Sequence, residues 1–138
     1  MTEDNRRAEI AQEILRAGEA RRAADALLGL GLHSDAVSRA YYAVFHWLRA
    51  VLLSRGVEPK THAGAIHLFN LELVRNGLFS SSHNRLIGGL QRSRELADYD
   101  SAVSFSAADA TAELTQARLF RDAALTYLTT QGWLGPRS

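Results

Sequence analysis

The stretch that decides the fold is "SDAVSRAYYAVFHWLRAVLLSRG", residues 34–56. Its apolar residues recur with the period of an α-helix, not of a strand. At about 100° per residue, Val37, Ala40, Tyr41, Val44, Leu48, Val51 and Leu52 share one broad face. A face that wide belongs in a core, so the segment reads as the central helix of the domain. Ser34 is the expected N-cap, and Gly56 ends the helix. Opposite the apolar face runs a narrow stripe of Asp35, Arg39, Tyr42, His46 and Arg49. A solvated stripe is ordinarily rich in Lys, Glu and Gln. Arg, Tyr and His between apolar flanks such as Trp47 and Leu53 suit an interface or a pocket, and a plain solvated face is the competing reading.

Outward from this helix the pattern stays helical. Helix one runs from about Glu3 to Leu28 and ends in the turn "GLGLH". "VEPK" breaks the chain, and Thr61 caps a third helix that reaches Arg75 before "NG". Helix four spans Ser81 to Tyr99, with Gly88 and Gly89 read as a close helix approach. Ser106 with Asp109 forms a capping box for helix five, roughly 107 to 130. The only prolines are Pro59 and Pro136, and no Val/Ile/Thr alternation marks a strand. The expectation is an all-α, up-and-down antiparallel helical bundle of four long helices plus a shorter one. It is read as one domain over 1–138, with a core of about 8–130 and a frayed tail at 131–138.

Composition narrows the functional classes. The chain has 138 residues, 46% of them hydrophobic, enough for one core. Sixteen basic and 15 acidic side chains leave a net charge of +1. No bulk field therefore draws it to nucleic acid, and any such contact must come from a local cluster. The absence of cysteine excludes disulfides and thiolate zinc sites and is compatible with the cytoplasm. "MTEDNRRAEIAQ" has no apolar h-region, so no signal peptide is expected. Arg39, His46 and Arg49 interrupt the longest apolar run, so no membrane span is expected. Arginine outnumbers lysine fifteen to one, which codon bias explains as readily as a preference for phosphate.

A second informative stretch is "RSRELADYD", residues 92–100. Leu86, Ile87, Leu90 and Ala97 lie on the inner side of helix four, with Arg85, Arg92, Glu95 and Tyr99 on the other face. Arg94 sits nearer the apolar flank, where a charge needs a partner, and Asp98 is four residues on. Arg92 and Tyr99, seven apart, are expected to face one cleft. Among the histidines, His62 is expected to cap or pack the first turn of helix three. His67, at i+5 from it, has a poor metal spacing, and His33 and His83 fall in connections. No metal and no cofactor are expected.

"SRAYYAVFHWLRAVLLSRGVEPKTHAGAIHLF", residues 38–69, followed by "RSRELADYD", resembles the HEPN domain family, in particular its small stand-alone prokaryotic members. The likeness lies in "YYA.FH" in helix two, "KTH.G" opening helix three and "R…ADYD" late in helix four, and covers roughly residues 8–130. The resemblance implies a helical bundle, usually a homodimer, often paired with a minimal nucleotidyltransferase in two-gene toxin–antitoxin modules. Many members are metal-independent ribonucleases whose signature is an arginine, four to six residues, then a histidine. Laid on this chain, Arg92 matches the arginine, Asp98 and Tyr99 match the residues after the histidine, and the histidine position falls on Ala97. No histidine follows His83. Alanine transfers no proton, so the motif is expected to bind phosphate through Arg92, Arg94 and Tyr99 without a base. Asp98 is a weak substitute base, since a nearby arginine favours its charged form. His46 is a second weak catalytic candidate, if it reaches the cleft from helix two. The expected ligand- or partner-binding set is Arg39, Tyr42, His46, Arg49, Arg92 and Tyr99. The leading expectation is a module component that binds a nucleotidyltransferase and possible RNA or nucleotide. An active ribonuclease toxin and a dimeric adaptor without ligand are the alternatives.

Overall fold

Thr2 starts the first helix, its Oγ1 accepting from the Asn5 amide at 3.1 Å. Helix α1 spans Glu3–Gly29, α2 His33–Ser54, α3 His62–Phe69, α4 Ser81–Tyr99 and α5 Ala107–Thr130. The computed structural model describes residues 2–135, and Pro136 and the end of the expected tail lie outside them. Among the described residues there is no strand, as expected of an all-α bundle of four long helices and a short one.

The apolar face of α2 makes it the core. Val37, Ala40, Tyr41, Val44, Leu48, Val51 and Leu52 are all buried, and so are the flanking Trp47 and Leu53. Helices α1, α3, α4 and α5 all pack against it. Helix α1 offers Ile10, Ala17, Ala20 and Ala24, mostly small side chains at helical spacing that admit close packing. Helix α5 offers Leu114, Ala117, Phe120, Ala124 and Leu128. The end of α2 matches expectation. Gly56 sits at φ 75°, and the Val57 amide donates back to the Leu52 carbonyl at 3.1 Å. A Cβ on Gly56 would also lie 3.3 Å from the Arg6 guanidinium, so glycine serves there twice.

Several local expectations are corrected. Ser34 is not the N-cap. The helix begins at His33 after Leu32, which makes no side-chain cap, and His33 Nδ1 donates to the Phe105 carbonyl at 3.0 Å. A long-range bond fixes this entry where a local cap was expected. The third helix reaches Val74, but Asn70–Val74 is a π-helical turn. Asn76 Nδ2 closes it by donating to the Glu72 carbonyl at 2.8 Å. Gly88 and Gly89 do not mark a close helix approach. Among the described residues, the only side chain within 4 Å of a Cβ there is Arg92, whose guanidinium lies at 3.6 and 3.9 Å. The described part of the tail is not frayed. Arg7 donates to the Gly132 carbonyl at 2.8 Å, and the Arg6 and Arg7 guanidinium carbons stand 5.7 and 5.3 Å from the Trp133 ring centre. The capping box at Ser106 and Asp109 and the Thr61 cap form as expected.

Candidate functional site

Arg94 is the pivot of the site. It lies on the inner side of α4 and is only 8% exposed. Its guanidinium carbon stands 5.1 Å from the ring centre of Tyr41, 5.9 Å from Tyr42 and 5.7 Å from Tyr99. It donates to the Tyr99 hydroxyl at 3.3 Å and lies 3.5 Å from Asp98 Oδ2, the pairing expected from the i,i+4 spacing. Burial works against its charge, but the tyrosine oxygens around it, Tyr42 first, hold its pKa above the usual arginine value. Arg94 Nε is buried and has no hydrogen-bond partner among the described residues.

Tyr41 and His62 complete this cluster. The Tyr41 hydroxyl and His62 Nδ1 are 2.5 Å apart. The His62 ring stacks on Phe45 at 4.1 Å between centres and 5° between planes, and on Tyr41 at 5.5 Å and 20°. Burial raises the Tyr41 hydroxyl to about 12, with the Arg94 charge pulling the other way. Burial, and then the Arg94 charge, lower the pKa of His62. The folded protein therefore binds fewer protons than the unfolded chain below about pH 6.5, the unfolded histidine value. The contribution to stability is present above that pH and is lost as the pH falls. His83, lowered by burial, acts in the same sense. The melting temperature is expected to fall between pH 7 and pH 5, and His62→Gln to make that fall shallower. Thermal melts across this range check it.

The remaining candidates fall into separate places. Arg92 is exposed, and its guanidinium folds back over Gly88 and Gly89. It shares an open hollow with Arg94, Glu95, Leu96, Tyr99 and Asp100, so Arg92 and Tyr99 do line one surface, but the direct bond to Tyr99 comes from Arg94. Tyr99 is 77% exposed. Ala97 is half-buried. The stripe on α2 is divided. Arg39 stacks over Tyr42 at 4.6 Å, and with Asp35 the two line a shallow hollow that Asp98 also reaches. His46 and Arg49 lie beyond Phe45, both bonded to Glu13 of α1. Sequence reasoning missed Tyr41 and Glu13 as site residues and gave His62 only a packing role. For His62 and Tyr41 the signal was present in "KTH.G" and "YYA.FH"; for Glu13 there was none.

Chemically, the arrangement presents two arginines and an exposed tyrosine ring on one open surface, with no proton acceptor at Ala97. No helix among the described residues is long and apolar enough to cross a membrane.

Comparison with known proteins agrees with the resemblance. A Methanocaldococcus jannaschii protein named as a putative toxin is 44% identical over 68 residues, 49% of this chain and 51% of that protein. The match thus spans about half of that relative's length. Another from the same organism, also named as a putative toxin, is 26% identical over 126 residues, 91% of this chain and 86% of that protein. A Gloeobacter violaceus protein named UPF0332 is 35% identical over 114 residues, 82% of this chain and 90% of that protein. The family model described as HEPN domain matches residues 11–127, nearly all of the bundle, and the chain belongs to the HEPN domain family.

Proposed function

We propose that this HEPN chain is a cytoplasmic component of a toxin–antitoxin-type module, and that it binds a phosphate-bearing ligand, RNA or a nucleotide, at Arg92, Arg94 and Tyr99. The observation that carries this reading is the open hollow in which Arg92, Arg94 and Tyr99 stand together. A phosphate oxygen is a fitting acceptor, because a guanidinium fork matches it in shape and charge. Arg92 supplies a second cation on the same surface. Tyr99 offers a mostly exposed ring on which a base can stack, an interaction worth about 1–3 kcal/mol per base. The names of two relatives support the toxin-type assignment.

In this reading the chain is one domain throughout and works as a homodimer, which places two copies of Arg92 near a twofold axis. Its partner is a minimal nucleotidyltransferase. The arginine motif binds its ligand and does not itself move a proton, since Ala97 stands at the histidine position.

Fluorescence anisotropy with a labelled single-stranded RNA tests the binding. Arg92→Ala is expected to weaken it about tenfold, about 1.4 kcal/mol. It should leave stability within about 0.5 kcal/mol, because the side chain is exposed. Wild-type protein that binds neither RNA nor nucleotide would overturn the ligand and leave a dimeric adaptor. Light scattering at micromolar concentration tests the dimer, and a purely monomeric species refutes it. Growth arrest on expression alone, relieved by the partner, tests the module.

A further inference from the structure

The hollow that holds Arg92 and Arg94 also holds Glu95 and Asp100, so its two cations stand among carboxylates. Asp100 Oδ1 is held in place by the Ala102 amide, which donates to it at 3.0 Å. Glu95 Oε1 accepts from Gln91 Nε2 at 3.4 Å. Asp98 adds a third carboxylate, 3.5 Å from Arg94. The surface on either side has the same balance. Through Asp98, Arg94 adjoins the hollow between α1 and α2, where Arg39 stands with Asp35 and Asp98. In the other direction Arg92 reaches to 3.9 Å from where a Cβ on Gly89 would stand. Gly89 lines the next hollow, where Arg85 stands with Glu113. Each arginine beside the site thus comes with a carboxylate. A groove that tracks single-stranded RNA instead offers a row of cations to successive phosphates. A strand running through this hollow would carry the phosphates before and after the bound one past Glu95, Asp98 and Asp100, and like charges repel. A phosphate at a chain end escapes most of that repulsion, because the strand leaves in one direction only. It also carries about −1.5 to −2 charge, against about −1 inside a strand, and so gains more from two arginines.

We infer that this hollow selects a terminal phosphomonoester with a base attached, the phosphate of a free nucleotide or of a strand end, over phosphates inside a strand. Arg92 and Arg94 take the phosphate, and the mostly exposed Tyr99 ring takes the base. Glu95, Asp98 and Asp100 set the selectivity by repelling the next phosphate of a strand. The inference rests on the binding reading of this same hollow and names the class of ligand that it takes.

The test uses the full chain and titration calorimetry with four ligands. These are adenosine 5′-monophosphate, the dinucleoside monophosphate ApA with its one internal phosphate, and RNA of about ten nucleotides with and without a terminal phosphate. The monophosphate and the phosphorylated RNA are expected to bind at least about tenfold tighter than ApA and the unphosphorylated RNA. The salt dependence should correspond to one phosphate, a slope of about −0.7, and should not steepen with strand length. Equal affinity of the monophosphate and the phosphorylated RNA makes the free nucleotide a sufficient ligand. A phosphorylated RNA that binds a further tenfold or so tighter, with the same slope, makes the strand end the ligand. Arg92→Ala should remove most of the preference. Glu95→Gln combined with Asp100→Asn, both at exposed positions, keeps an acceptor for the Ala102 amide. This double variant should bind unphosphorylated RNA about tenfold tighter and the monophosphate with much less change, so that the preference narrows. Unphosphorylated RNA that binds the wild type as tightly as phosphorylated RNA, with a slope that steepens with length, overturns this inference and leaves the binding reading standing. A preference kept in full by both variants does the same, because it is then set elsewhere. Failure of the wild type to bind any of the four ligands overturns both readings.

Discussion

Trp47→Ala is expected to destabilise the protein by about 3–5 kcal/mol, the usual range for removing a large aromatic from a core. Trp47 is 2% exposed and sits midway along α2, the helix against which all the others pack. Alanine leaves a void that neighbours on several helices would have to close at once, and a core packed to crystal density relaxes only in part. For a chain of this size the melting temperature should drop by about 10–20 °C. Thermal unfolding followed by circular dichroism checks it. A loss below about 1 kcal/mol would mean that α2 is not the centre of the core.

Arg94→Ala is the second large effect, and it is expected to strike function and fold together. The substitution removes the guanidinium from between Tyr41, Tyr42 and Tyr99 and strands the Asp98 carboxylate. Leaving a buried charge without its partner costs about 3–5 kcal/mol. Asp98 is partly solvated, at 26% exposure, so about 2 kcal/mol is the better expectation here. RNA affinity should fall by about 10–100-fold, the equivalent of one or two charge-assisted hydrogen bonds. Arg94→Lys should restore part of the stability and little of the binding, because a point charge cannot fork onto a phosphate. Paired measurements of melting temperature and anisotropy on Arg92→Ala, Arg94→Ala and Arg94→Lys separate these roles. Full RNA affinity in Arg94→Ala would remove Arg94 from the site and leave it a fold residue.

The sequence alone determined the helical class, the central place of α2 and the caps at Thr61 and Ser106. These follow from a period of 3.6 residues and from bonds spanning three or four residues, so they are written locally. The Arg94–Asp98 pair was legible for the same reason. Ser34 failed as a cap because the entry to α2 is fixed instead by a bond from His33 to Phe105, 72 residues away. Local preference yields where a tertiary contact is stronger. The site shows the same division. Motif spacing pointed to Arg92, Arg94, Asp98 and Tyr99, but no periodicity says which arginine will reach the Tyr99 hydroxyl. Tertiary structure alone decided that Arg94 is enclosed by tyrosines from α2 and α4, that His62 stacks on Phe45, and that His46 turns away from Arg94 to Glu13, 33 residues earlier. Such pairings depend on how α1, α2, α3 and α4 cross, and that is settled by burying the apolar face of α2, after which the polar stripe takes whatever partners the neighbouring helices bring.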